Sequence, residues 1–66
     1  YRVEKLTATE QMVLQYMERG CGNAEISKKM NIKLSTVKTH VYNIFKKLGV
    51  TTRIQAVQKG KEYGIL

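Results

Sequence analysis

The stretch "STVKTHVYNIFKKLG", residues 35 to 49, decides the reading of this chain. Val37, Val41, Ile44 and Leu48 recur at steps of three and four, so they make one apolar stripe of a helix. The opposite face carries Ser35, Lys38, Thr39, Tyr42 and Lys46, hydroxyls and cations with no acid among them. The stripe says what the helix packs on, and the opposite face raises the question of what it meets.

Working outward, proline is absent and no β-branched run alternates over a strand length, so the chain reads as helices separated by glycines. Thr7 with Glu10 three residues later is a capping box, and Val13, Leu14 and Met17 give a first helix over about 8 to 19, stopped by Gly20. Asn23 is expected to cap a short second helix over about 24 to 30, whose Ile26 and Met30 share a face and whose end Asn31 closes in the left-handed conformation. The third helix, about 34 to 48, ends at Gly49. Thr52 caps a fourth that turns Ala56, Val57 and Gly60 inward and ends near Gly64, with Ile65 folding back. The expected fold is all-α, a four-helix domain spanning 1 to 66.

Length and composition bound the function. A chain of 66 residues buries only about 60% of its unfolded surface on folding, too little to enclose an elaborate catalytic pocket. Cys21 has no second thiol for a disulfide, and Cys21 with His40 does not complete a tetrahedral metal site, so neither metal nor cofactor is expected. His40 lacks a nucleophile and an orienting acid, so no enzyme is expected, and a packed, hydrogen-bonded ring is preferred to one that meets a partner. No apolar run approaches the roughly 20 residues of a membrane span, and no charged-then-apolar leader is present. A soluble cytoplasmic protein without a small-molecule ligand in this domain is the expectation. The start at Tyr1, without an initiating Met, suggests a C-terminal fragment of a larger protein.

Net charge is +7, and it is segregated. Residues 1 to 25 hold three cations (Arg2, Lys5, Arg19) against four acids and are nearly neutral. From Glu25 to Glu62 no acid intervenes, while Lys28, Lys29, Lys33, Lys38, Lys46, Lys47, Arg53, Lys59 and Lys61 add nine positive charges. Such one-sidedness fits a polyanion, nucleic acid before membrane because no exposed Trp/Phe/Leu face accompanies it. A basic face kept only for solubility is the plain alternative. Counted from Asn23, a small residue stands fifth (Ser27), a turn-tolerant one ninth (Asn31) and a β-branched plug fifteenth (Val37). That is helix-turn-helix spacing, since two helices crossing at about 90–120° through a short turn need a small contact residue, a positive φ and an apolar plug.

The segment "LTATEQMVLQYMERGCGNAEISKKMNIKLSTVKTHVYNIFKKLGVTTRIQAV", residues 6 to 57, resembles the LuxR/FixJ/GerE-type DNA-binding domain nearly end to end. The tail "QKGKEYGIL", residues 58 to 66, is more similar to the large MalT-like regulators of that family than to its two-component response regulators. Two positions depart from the family pattern: Lys33 stands where Ser usually caps the recognition helix, and Ser27 where Ala is usual. Lys33 cannot cap a helix, so a later start assisted by Ser35 is expected there. The Ser27 hydroxyl is expected to bond a backbone carbonyl one turn back.

The resemblance implies an output domain of a transcriptional regulator whose third helix lies in the major groove of double-stranded DNA. It places base contacts on Lys38, Thr39 and Tyr42: Lys38 to guanine or a phosphate, the Thr39 methyl to thymine, the Tyr42 hydroxyl to a base edge or phosphate. Backbone contacts are expected from Thr36 and from the pool Lys28, Lys29, Lys33, Lys46, Lys47 and Arg53. Arg53 has a second reading, as partner of a Glu10 that projects beside Val13 and Leu14. Tyr42 could be merely an exposed aromatic. Phe45, Tyr16, Tyr63 and the three Met residues are expected in packing. On the fourth helix Ile54, Gln58 and Lys61 share an outer face, expected to form a weak homodimer on DNA, and RNA polymerase is a candidate protein partner. The competing function is a basic helical protein–protein module that meets an acidic partner such as the transcription machinery.

Overall fold

In the computed structural model, which describes residues 5–66, four helices follow one another: α1 (Ala8–Glu18), α2 (Asn23–Met30), α3 (Leu34–Leu48) and α4 (Arg53–Glu62). No strand occurs among the described residues. Helix α3 is the axis of the assembly. Helices α1, α2 and α4 all pack on it, and α1 also meets α4.

The stripe read from the sequence is the reason. Val37, Val41, Ile44 and Leu48 are buried against Val13, Leu14 and Met17 of α1, Ile26 of α2 and Ala56 of α4, with Leu6 and Cys21 closing the cluster. Apolar area removed from water drives this docking, because helices this short are marginal alone. Phe45 packs against the edge of the cluster, as do Tyr16, Tyr63 and Met30. Met12, expected in packing, is instead 46% exposed.

The helix starts differ in how well they are capped. At α1 the Thr7 hydroxyl accepts from the Glu10 N–H at 3.1 Å while the Glu10 carboxylate accepts from the Thr7 N–H at 3.0 Å, the complete capping box. Thr52 likewise accepts from the Gln55 N–H at 3.2 Å at α4. Two expectations are corrected. Gly22, not Asn23, is the N-cap of α2, and the Asn23 side chain is used elsewhere. Helix α3 starts at Leu34 directly after Lys33, as the range 34 to 48 has it, so the delay with help from Ser35 that a poor cap suggested does not occur, although no side chain caps the helix. Val37, fully buried one turn in, already donates its N–H to the Lys33 carbonyl at 3.1 Å, so core packing fixes the start that capping does not.

The helix ends share one device. Cys21, Ile32, Val50 and Ile65 each donate their N–H to the carbonyl five residues back, at 3.0, 3.0, 3.0 and 2.8 Å, and each is apolar, as the closing residue of a Schellman motif tends to be. The step before each closing residue needs a positive φ, which Asn31 supplies at 55° between α2 and α3. That residue sets the corner of the helix-turn-helix. The half-buried Ser27 donates its hydroxyl to the Ala24 carbonyl at 2.8 Å, as expected.

Candidate nucleic-acid interface

With its stripe sealed, α3 turns a second face outward. Ser35, Lys38, Thr39 and Lys46 are exposed, and Tyr42 is 65% exposed. No acid lies in the first turn of α3, and Lys46 and Lys47 lie in its last. The Thr39 hydroxyl donates to the Ser35 carbonyl at 3.1 Å, bent back on its own helix, so this side chain offers a partner its methyl and an acceptor oxygen but no donor. Thr36 is half-buried beside the face. His40 is half-buried too, but its ring has no hydrogen-bond partner among the described residues, so only the packing half of that expectation is met.

Around this face the cations divide into two groups. Lys28 and Lys29 lie exposed in the last turn of α2, where positive charge also suits the helix dipole, and Lys33 is exposed at the corner before α3. These three join Lys38 and Lys46 as exposed cations. Lys47 and Arg53 have internal work. The Lys47 ammonium is 2.7 Å from the Glu10 carboxylate, with side chains 20% and 5% exposed, and it also reaches the Lys5 carbonyl at 3.5 Å. Arg53 donates to the Cys21 carbonyl at 3.3 Å and to the Asn23 carboxamide oxygen.

The expected Glu10–Arg53 pairing is therefore corrected. Glu10 belongs to Lys47, which ties the N-terminus of α1 to the C-terminal end of α3, and Arg53 ties the start of α4 to the α1–α2 loop. Position on α3 does not mark Lys47 out: it falls three residues after Ile44 and one before Leu48, and Lys38 stands equally near the buried stripe on its other side, one after Val37 and three before Val41. Burial of Glu10 pushes its carboxyl up, but the Lys47 hydrogen bond and charge and the Thr7 N–H outweigh that and hold it below its ordinary 4.5.

The outer face of α4 is as drawn from the sequence. Ile54 is 72% exposed, Gln58 and Lys61 are exposed, and the Lys61 ammonium is 3.9 Å from the exposed Glu18 carboxylate on α1. Ile54 and Gln58 border a shallow groove shared with Met17, Glu18, Arg53 and Val57. No helix is long and apolar enough to cross a membrane, among the described residues.

Comparison with known proteins gives this geometry a context. The family described as bacterial regulatory proteins, luxR family, matches residues 4–59. The probable csgAB operon transcriptional regulatory protein of Salmonella typhimurium is 46% identical over 52 residues, 79% of this chain and 24% of that protein. The HTH-type transcriptional regulator MalT of Yersinia pestis is 37% identical over 60 residues, 91% of this chain and 7% of that protein. This chain thus spans a quarter or less of these relatives. Among solved structures, the transcription factor GerE superposes with a TM-score of 0.86 at 33% identity, covering 96% of both chains. The response regulator ChrA of a heme-sensing two-component system gives 0.93 at 33% identity, covering all of this chain and 33% of the other.

Proposed function

This chain belongs to the luxR family of bacterial regulatory proteins, and on that premise we propose that it binds double-stranded DNA sequence-specifically by laying α3 in the major groove. The observation that carries the reading is the division of α3 itself, one face sealed into the core and the other exposed, cationic and free of acids. A major groove about 12 Å wide admits one helix, and the exposed face presents groups that the groove can discriminate: an ammonium for guanine acceptors (Lys38), a methyl for thymine (Thr39), a phenol for a base edge (Tyr42). Lys28, Lys29, Lys33 and Lys46, with Thr36, then hold the phosphates on either side and set the register. Lys47 and Arg53 support the interface from within.

Repeated selection from a randomised duplex library tests the reading. Enrichment of one short motif is the expected result. A chain that retains no duplex, but binds an acidic protein partner, would favour the protein–protein module instead. A regulator of this bacterial type would work in the cytoplasm, with RNA polymerase a candidate partner for the faces that DNA leaves free.

Pairing of two copies through α4 completes the proposal. Ile54 gives that face an apolar anchor, but Gln58 and Lys61 beside it are polar and add little apolar area, which suits a weak contact rather than a stable interface. The isolated domain is expected to be monomeric at micromolar concentration and to pair on DNA, with half-sites about one helical turn apart. Ile54→Glu should therefore leave single half-site binding unchanged and reduce occupancy of the paired site by about tenfold in gel-shift titrations, a loss of roughly 1.4 kcal/mol of coupling. A tight dimer in sedimentation that survives Ile54→Glu would move the interface off α4.

A further inference from the structure

Leu34 is the first residue of α3, is 41% exposed, and is left out of the apolar cluster that takes in Ile32 before it and Val37 after it. Residues four apart on a helix follow one another with a turn of about 40°. Leu34, Lys38 and Tyr42 therefore form one line, running from the edge of the buried stripe onto the outward face, and all three are exposed. Lys33, exposed next to Leu34, is cationic, and no acid stands in this first turn to repel a duplex. In a helix-turn-helix it is the N-terminal residues of the second helix that approach base edges. A leucine there has no donor or acceptor, and the apolar group that a base pair offers in the major groove is the C5-methyl of thymine.

We propose that Leu34 is a specificity-determining residue of this domain, reading a thymine methyl in the major groove through its exposed side chain. This rests on the DNA-binding reading. Thr39 offers a second methyl, 100° per residue further round the helix and five residues on, so the two side chains read different thymines. Leu34 adds an apolar discrimination that neither Lys38 nor Tyr42 supplies, and its loss leaves the phosphate contacts of Lys28, Lys29, Lys33 and Lys46 in place.

The test uses the whole 66-residue chain and the duplex enriched by library selection. Each thymine of that duplex is replaced in turn by deoxyuridine, which removes one methyl and nothing else. For the parent chain, one thymine per half-site is expected to lose about fourfold in affinity through residue 34. Leu34→Ala should bind the unmodified duplex about fourfold more weakly and be indifferent to deoxyuridine at that thymine, while Leu34→Met keeps the sensitivity. Thr39→Ser should abolish sensitivity at a different thymine and leave the first intact. Deoxyuridine penalties that are the same in the parent chain and in Leu34→Ala at every position would overturn the role of Leu34 with DNA binding intact. Failure to enrich any duplex would overturn the DNA reading and this inference with it. Thermal unfolding of Leu34→Ala at the parent temperature would confirm that an exposed residue, not the fold, was changed.

Discussion

Replacing Glu10 by Ala is expected to lower the stability of this domain by about 2–3 kcal/mol, a large share of the 5–15 kcal/mol typical of folded domains. Two losses combine. The capping box of α1 loses its returning bond to the Thr7 N–H, worth about 1 kcal/mol by analogy with other caps. Lys47, only 20% exposed on the side chain, is left without its carboxylate partner, which is the costlier change in a buried pair. Urea unfolding followed by circular dichroism measures the total. A double variant, Glu10→Gln with Lys47→Met, should recover part of the loss, because neither side chain is then a stranded charge. A change within about 0.5 kcal/mol for Glu10→Ala would mean that the ion pair contributes nothing beyond what exposed pairs do.

The same pair sets a dependence on pH. Glu10 is held below its ordinary 4.5 in the folded state, by Lys47 and Thr7 against the opposing effect of burial. Its contribution is therefore fully present above about 4.5 and is lost as pH falls through the lowered folded value. Stability of the parent chain should decline on acidification below that point, and Lys47→Met, which leaves only the Thr7 hydrogen bonds to oppose burial, should show a flatter decline.

Replacing Tyr42 by Ala is expected to cost about 1–3 kcal/mol on the selected duplex and little on a scrambled one, whereas Lys28→Ala should weaken both alike. The contrast follows from where the two side chains stand. Tyr42 is 65% exposed in the middle of α3, one turn beyond Lys38, and reaches into a groove if the helix does. Lys28 lies at the end of α2, on the helix that would cross the phosphate backbone, so it contributes charge and no sequence information. Fluorescence anisotropy with both duplexes separates the two kinds of loss. Equal losses on both duplexes for Tyr42→Ala would remove it from base readout.

Much of the fold was legible because its determinants are local. The stripe Val37, Val41, Ile44 and Leu48, the Thr7–Glu10 box, the Thr52 cap and the left-handed Asn31 each depend on spacing within one helix or turn, and each is found where the spacing puts it. What was not legible depends on how helices dock. Whether Glu10 meets Lys47 or Arg53 is decided by α1 lying along α3, and both cations are at sequence distances that no periodicity addresses. Asn23 has the chemistry of a cap, but the start of α4 comes close enough for Arg53 to take its side-chain oxygen, and Gly22 occupies the cap position instead. At Lys33 a poor capping residue was expected to delay the helix, and burial of Val37 overrode local preference. For the recognition face, exposure and the absence of acids could be read in advance, while the division of cations into outward and internally engaged groups could not.

The central claim, that the outward face of α3 and its flanking lysines bind a duplex polyanion, is tested most directly by the salt dependence of duplex binding. The four exposed lysines placed on the phosphates, Lys28, Lys29, Lys33 and Lys46, predict that log K for one domain on DNA falls linearly with log salt with a slope of about −4. Each of Lys28→Ala and Lys46→Ala should flatten that slope by about one unit. A slope near zero, or no binding to any duplex at about 50 mM salt, would contradict the account.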